Sequence, residues 1–406
     1  MATTARAPLT GVSGMTGVSG VRGARVAIVH EWLVSWGGAE VVLRELLALF
    51  PGAELYVLLD HFSAEHRAAL GLSRPAHTSF LQHVPGIAAH YRSFLPLLPA
   101  AARSLDVSRF DLVISNSHSF AKGVRTRTGQ RHLCYCLSPT RYAWDLRDQY
   151  LRESGLDRGV KGMLAGALLE RTRRWDLAAA GGVGAFATLS EFIADRIRRA
   201  YGREAQVIYP PVDTEYFTPE AGRGGPDGGR GTPDAGVEFY VTASRFVPYK
   251  RVDLIARAFA RLGDRTLVII GDGPDAAKVR AAAGANVTLV GHQTRESVRD
   301  HLRRARAFLF AAEEDFGIAP VEALACGTPV IAFGRGGVTE TVRGLDDPSP
   351  TGVFYAEQSP DALADAIRKF ESLSTPISPR ACRDRALLFT ANRFRTEFRR
   401  FVERHA

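Results

Sequence analysis

The residues with the most pointed chemistry lie in the second half of the chain. Glu314 and Glu322 stand in the string Glu313-Glu314-Asp-Phe-Gly-Ile-Ala-Pro-Val-Glu322-Ala-Leu-Ala-Cys-Gly-Thr-Pro. Phe316-Gly317-Ile318 can turn tightly, Pro320 suits the first position of a helix, and Gly327 suits its end. This places Glu314 in the loop before a helix N-terminus and Glu322 inside the helix. Two carboxylates so arranged accept several O–H hydrogen bonds at once, which suits a hydroxyl-rich ligand. A lone glutamate near a helix start would only complement the dipole. The pair, in one string, says more. Upstream, Ala243-Ser-Arg245-Phe-Val-Pro-Tyr-Lys250-Arg251 places two cations in a short loop after a strand. Such cations suit a diphosphate leaving group, whose charge grows as its bond breaks. The alternative is a solvated basic loop. Only five of the 52 basic residues are lysine, however, and lysine is a compact point charge for phosphate.

A third pattern, Gly271-Asp-Gly273-Pro-Asp-Ala276, follows the apolar run Thr266–Ile270 and satisfies G-x-G-x-x-A. A dinucleotide site would also want an acidic residue about 20 positions on, to hold the ribose. The next apolar run ends in Gly291-His292-Gln293 instead, which disfavours a nicotinamide enzyme. Pro274 suits the first turn of a helix, so the loop can still offer N–H groups to a phosphate. In the first half, His118 sits in Ser115-Asn-Ser-His-Ser119 just after an apolar run, and Gly37-Gly38 opens a helical stretch. Cys134 and Cys136 read as small core residues, because no second Cys or His pair lies near them.

These residues are positioned by an alternating framework. Arg25–Val29, Glu54–Leu59, Leu112–Ser115, Leu133–Leu137, Phe186–Leu189 and Gln206–Tyr209 read as buried strands separated by helical segments, one of them capped by Ser190. From Glu220 to Gly236 no large apolar residue occurs and Gly and Pro dominate, which reads as a linker. The alternation then restarts with Glu238–Ala243, Thr266–Ile270, Asn286–Val290, Ala307–Phe310 and Pro329–Ala332. The expected organisation is a flexible tail over 1–24, an α/β domain over 25–219, the linker over 220–236, a second α/β domain over 237–385, and a helix over 386–406 packing back on the first domain. Two parallel, doubly wound sheets facing a cleft follow, and ligands bind at the carboxyl ends of such strands.

Composition excludes other classes. With 46% hydrophobic and 23% charged residues the chain can bury a full core, so wholesale disorder and fibrous folds are ruled out. The net charge of +9 is carried by an arginine-heavy composition spread along the chain, which is weak grounds for a nucleic-acid partner. No basic run interleaves with aromatics beyond the short Arg171–Trp175. The longest stretch without Asp, Glu, Lys or Arg, Pro75 to Tyr91, is shorter than the roughly 20 residues of a membrane span. Tyr91-Arg-Ser-Phe-Leu-Pro-Leu-Leu-Pro99 reads either as an apolar surface element or as a buried helix start. A reduced, cytoplasmic protein is expected.

The string from Glu314 to Glu322 resembles the signature of retaining glycosyltransferases of family four, which have the GT-B fold of two Rossmann-like domains. Further matches occur in order: Gly37–Glu40, Ile208-Tyr-Pro-Pro-Val-Asp213, Arg245 with Lys250, Gly271–Pro274 and Gly336-Gly337-Val-Thr-Glu340. Within the family, His30-Glu-Trp-Leu, Pro139-Thr-Arg-Tyr-Ala-Trp-Asp145 and Phe316-Gly-Ile resemble the branch of bacterial O-antigen mannosyltransferases. The resemblance implies transfer of a hexose, mannose by the narrower match, from a nucleotide sugar such as GDP-mannose to a glycan or lipid-linked acceptor with retention of configuration. It implies that Glu322 accepts from the ribose hydroxyls and Glu314 from the donor sugar, with the N–H groups of Phe316, Gly317 and Ile318 beside the sugar and phosphate. Arg245 and Lys250 would stabilise the departing diphosphate with the Gly37–Gly38 loop, Gly271 and Gly273 would line the donor site, and His118 would stand where the family places an active-site histidine. Arg141 and Tyr142 are candidates for acceptor contact. No metal or other cofactor is implied. Peripheral contact with the inner face of a membrane is a further expectation, and nucleic acid is not. A sugar-nucleotide epimerase of the same fold, or a non-catalytic binder, is the alternative.

Overall fold

The computed structural model describes residues 23–220 and 238–405, apart from Ser73, Leu146 and Ser154. Most of the expected tail and the Gly/Pro-rich run beyond Glu220 lie outside the described residues. The chain divides into two compact units, one running to Pro210 and resumed from Phe394, the other spanning Pro211–Arg393. The division falls before the Gly/Pro-rich run because the backbone turns across at once. Val212 N–H donates to the carbonyl of Phe389 at 2.8 Å, which ties Pro211 onward to the second unit.

The first unit is built on β1 (Val26–Leu33), β2 (Glu54–Asp60), β3 (His77–Thr78), β4 (Leu112–Ser117), β5 (Arg131–Cys136), β6 (Ala185–Thr188) and β7 (Ala205–Val207). They form one sheet in the order β3-β2-β1-β4-β5-β6-β7, parallel at every pairing. The second unit carries β8 (Phe239–Ala243), β9 (Thr266–Ile270), β10 (Val287–Gly291), β11 (Phe308–Phe310), β12 (Val330–Phe333) and β13 (Gly352–Tyr355). Their order is β10-β9-β8-β11-β12-β13, again all parallel. The short edge strand β3 and the last strand β13 went unread in the sequence. Strand order reverses between β1 and β4 in one sheet and between β8 and β11 in the other. In such folds that point is where adjacent loops diverge and leave a crevice.

Parallel strands are covered on both faces, which is why most of them carry runs of apolar residues rather than alternating ones. In β4, all six residues from Leu112 to Ser117 are buried. Ser190 caps the helix Glu191–Tyr201 by accepting from the N–H of Ile193. The segment Tyr91–Pro99 is a correction to the surface reading. Tyr91 and Leu98 are buried, and Phe94 and Leu95 pack against the core of the first unit, leaving Leu97 as its exposed apolar residue. The helix Ala391–His405 buries Phe394, Phe398, Phe401 and Val402. Within the first unit, Phe394 and Phe398 meet the Tyr135 ring at 5.6 and 6.1 Å, and Arg395 bonds Glu45 at 2.6 Å.

Candidate functional site

In the first unit the candidates lie at the switch point. β1 and β4 pair with Val29 opposite Ser115 and His30 opposite Asn116, so the loops that follow leave from neighbouring strand ends. Gly37 is the N-cap of the helix Gly38–Leu49. That helix start is fastened to β4, because Asn116 Nδ2 donates to the carbonyl of Ala39 at 2.9 Å. Asn116 Nδ2 also lies 3.2 Å from His30 Nδ1, and His30 Nε2 lies 3.2 Å from Glu40 Oε1. With Nδ1 accepting from the amide, Nε2–H donates to Glu40, a neutral tautomer assigned from the network.

His118 is held through its backbone. Its N–H donates to Glu31 Oε1 at 3.0 Å, alongside Ser119 N–H at 2.7 Å and the Ser117 hydroxyl at 3.0 Å; Phe120 N–H donates to Oε2 at 2.9 Å. Four donors converging on a fully buried carboxylate fix the Ser117–Phe120 turn. The His118 ring packs edge-on against Trp32 at 4.9 Å. Burial pushes its imidazole below the usual range, so the ring is neutral at pH 7. Glu31 has no role in the sequence reading. The available signal was a carboxylate inside a buried strand that, His30 aside, is apolar.

Below this turn, Lys122 is fully buried with its Nζ 2.5 Å from Asp176 Oδ1. Asp176 also accepts from Thr140 at 2.9 Å, Trp144 Nε1 at 2.8 Å and Tyr201 at 2.7 Å. Lys122 Nζ also donates to the carbonyl of Ser119 at 2.5 Å, and hydrogen bonding on both partners is what lets two charges stay in a core. The pair secures the segment holding Tyr142, whose hydroxyl lies 3.0 Å from Ser119 Oγ. Cys134 and Cys136 are buried free thiols.

In the second unit the loops after β8, β9 and β11 carry the rest. Ser244 N–H bonds the carbonyl of Ile270, and Phe246 N–H that of Asp272 at 2.9 Å, zipping the Arg245 loop to the Gly271–Gly273 loop. The approach demands glycine. A Cβ on Gly271 would lie 1.9 Å from the carbonyl oxygen of Ser244, and one on Gly273 would lie 2.4 Å from that of Phe246. Pro274 precedes the Asp275 N-cap of the helix Ala276–Ala282, rather than standing in its first turn as expected. The Arg245 side chain is exposed and makes no ion pair among the described residues. Lys250 pairs directly with Glu314, both largely shielded from solvent. Arg251, the one non-glycine residue with positive φ among those described, caps the helix Val252–Leu262. Its guanidinium bonds Gln358, which in turn donates to the carbonyl of Ala311 just beyond β11.

Glu314 is clasped by backbone. Gly337 N–H donates to its carbonyl at 2.8 Å, and a Cβ on Gly336 would lie 2.5 Å from that same oxygen. The chain then turns at Gly317, whose φ is 87°, into the helix Ile318–Ala325. Pro320 is therefore the third residue of this helix and not the first. The glycine lets the turn close two residues early, and a proline in the first turn removes a donor that has no helical partner anyway. Glu322, half-buried within the helix, has its carboxyl pushed up to about 7 by burial, with Arg295 opposing and Asp213 reinforcing. Arg295 bonds Asp213 at 3.1 Å, so the Asp213 turn and Glu322 share one electrostatic environment. Among the described residues no group of three His, Cys, Asp or Glu side chains is placed to hold a metal ion.

Residues 36–216 match the family described as Glycosyltransferase Family 4, and residues 231–387 match Glycosyl transferases group 1. Over 207 residues the chain is 30% identical to a D-inositol 3-phosphate glycosyltransferase of Mycobacterium leprae, covering 48% of this chain and 47% of that protein. Over 198 residues it is 30% identical to a GDP-mannose-dependent alpha-(1-6)-phosphatidylinositol monomannoside mannosyltransferase of Mycobacterium tuberculosis, covering 44% of this chain and 50% of that protein. The aligned region thus spans about half the length of these curated relatives. Among solved structures, Anabaena HepE in complex with UDP aligns at a TM-score of 0.67 and 15% identity, covering 93% of this chain and 99% of that one. Sucrose-phosphate synthase of Thermosynechococcus elongatus aligns at 0.67 and 19%, covering 94% and 99%. At that identity the likeness is one of fold: two parallel-sheet α/β units.

Proposed function

The chain belongs to the family-four, group-1 glycosyltransferases of GT-B fold, and from that premise we propose that it transfers a hexose, mannose in the narrower reading, from a nucleotide sugar to a hydroxyl acceptor with retention of configuration. The observation that carries the reading is the Lys250–Glu314 pair at the β8/β11 switch point, set directly before the Gly317 turn that starts the helix bearing Glu322. Its chemistry matches the parts of such a donor. Glu322 would accept from ribose hydroxyls and Glu314 from the sugar. Phe316, Gly317 and Ile318 would offer N–H groups to sugar and phosphate, and Gly271 and Gly273 would let backbone approach closely. Arg245 and Lys250 would stabilise the diphosphate.

In the reaction, the bond between the anomeric carbon and the phosphate oxygen breaks while the acceptor oxygen bonds to that carbon on the same face. The acceptor proton leaves with the nucleoside diphosphate. Charge grows on the leaving oxygen as this happens, so cations placed there stabilise the transition state more than the ground state. Lys250 pairs with Glu314, and a diphosphate would draw the ammonium toward itself and release the carboxylate for sugar hydroxyls. In the first unit, His118 is the candidate catalytic group, with Gly37 and Gly38 as backbone donors. GDP-mannose is the favoured donor, supported by the name of the mannosyltransferase relative. A glycan or lipid-linked acceptor at the cytoplasmic face of a membrane, with no metal, completes the reading.

The test is incubation with a panel of nucleotide sugars and a membrane extract, following nucleoside diphosphate release and the anomeric configuration of the product, with and without EDTA. Glu314→Ala and Lys250→Ala are each expected to lower transfer at least about 100-fold, within the range seen when a charge-stabilising group is removed, while the circular dichroism spectrum is retained. Sugar-nucleotide conversion without acceptor product would establish the epimerase instead. Near-normal rates in both variants would reject the site.

A further inference from the structure

The helix Gly159–Gly181 in the first unit turns the large apolar side chains of its first two turns outward, while Leu169 and Trp175 further along pack inward. Its inward face runs Gly162, Ala165, Leu169, Thr172, Asp176 and Ala180. The first half of that face is small because the helix sits tightly on what precedes it. A Cβ on Gly162 would lie 3.1 Å from the carbonyl oxygen of Leu156, and one on Gly166 3.3 Å from an Arg147 nitrogen. The outward face carries Val160, Met163 and Leu164, which are 70%, 73% and 66% exposed and are the three most exposed large apolar side chains described. Positions three and four apart share a face, so these form one patch. Ala167, Arg171 and Arg174 continue the same exposed face toward the C-terminus.

A soluble helix normally turns its apolar stripe inward, and a contiguous exposed patch marks an interaction surface. The surrounding charge selects the partner. Between residues 147 and 174 the sequence holds seven basic against four acidic side chains. Arg158 and Arg174 have side chains 93% and 78% exposed, and Lys161 is exposed beside Val160. Apolar side chains that can enter an acyl boundary, rimmed by long cationic side chains that can reach head groups, fit an anionic bilayer surface. No helix among the described residues is long and apolar enough to cross a membrane. We infer that Val160, Met163 and Leu164 dock the protein on the surface of an anionic lipid bilayer, with Lys161, Arg171 and Arg174 contacting the head groups. This deepens the transfer reading, since a lipid-linked acceptor would be met at that surface.

The test is partition of the full chain onto vesicles of phosphatidylcholine alone or with about a third phosphatidylglycerol, at low and high salt. The wild-type protein is expected to bind the anionic vesicles at low salt and the neutral ones far less. Met163→Glu/Leu164→Glu should lower the partition coefficient at least about tenfold without lowering the melting temperature. Arg171→Gln/Arg174→Gln should weaken binding to anionic vesicles and flatten its salt dependence. Absence of wild-type binding, or unchanged binding by both variants, would overturn the proposal. So would a wild-type dimer that Met163→Glu/Leu164→Glu dissociates, because the face would then belong to a second copy. Binding is read with neither donor nor acceptor, so failure of docking and failure of transfer are separate results.

Discussion

At the scale of single residues, two carboxylates do different work. Glu31 is held by four donors, three of them backbone N–H groups of the turn that carries His118. Removing the acceptor leaves buried donors unsatisfied, at about 1–3 kcal/mol for each. Glu31→Ala is therefore expected to destabilise the first unit by several kcal/mol in a denaturant titration. Glu31→Gln, which keeps one acceptor oxygen, should remain folded and lose about tenfold or more in transfer through the displaced His118 turn. Full activity in Glu31→Gln would separate the turn from the reaction. Glu322 works against stability. Its carboxyl is raised to about 7 in the folded chain from an ordinary 4.5, so the folded state holds a proton that the unfolded state releases. Stability from this group falls as pH rises from about 4.5 to 7, and the whole cost is present above that window. Glu322→Gln should raise the melting temperature at pH 8, by about 2–4 °C per kcal/mol recovered. It should leave the melting temperature unchanged near pH 4 and weaken donor binding. A variant no more stable than wild type at pH 8 would contradict this.

At the scale of elements, the loops that hold the cations are set by backbone approach rather than by their charges. Arg245 is aimed by a loop that hydrogen-bonds across to Asp272, and Gly271 and Gly273 permit the contact. A methyl group at Gly271 would collide with the carbonyl of Ser244, and its φ of 132° is also unfavourable for an L-residue. Gly271→Ala should destabilise the second unit by about 2 kcal/mol or more and displace the Arg245 loop. Hydrogen exchange of the Ser244 and Phe246 amides reads this directly. Unchanged protection at both would remove the argument. The G-x-G-x-x-A pattern was legible in the sequence, but its structural reason was not. The partner is a carbonyl from another strand's loop, far along the chain, that no local pattern announces.

At the scale of the whole molecule, the last helix returns to the first unit. Phe394 and Phe398 pack beside Tyr135 on β5 and Phe401 packs on Phe398, so the core of that unit draws on distant parts of the chain. Phe398→Ala is expected to cost about 3–5 kcal/mol, and the loss should appear in the unfolding of the first unit rather than the second. Hydrogen exchange resolved by unit checks it; protection lost mainly between Pro211 and Arg393 would reverse the assignment.

What the sequence determined by itself was the pair of parallel α/β sheets and the loops and helix starts after the strands on which the candidate groups lie. Apolar runs such as Thr266–Ile270, and glycines at the turns, are local signals with local causes. Glu314 and Glu322 were visible because their spacing around Gly317 is itself a turn-and-helix pattern. Tertiary structure decided what these groups face. It paired Lys250 with Glu314, put Asp213 and Arg295 beside Glu322, and gave His118 its anchor in Glu31. Each of these contacts joins residues far apart in the sequence, carried mostly by loops and helices, and sheet order, not sequence spacing, brings them within reach. It also decided that Val160, Met163 and Leu164, at the start of the Gly159–Gly181 helix, point outward. The close seat of Gly162 against the Leu156 carbonyl leaves little room there, and no periodicity in the sequence carries that fact.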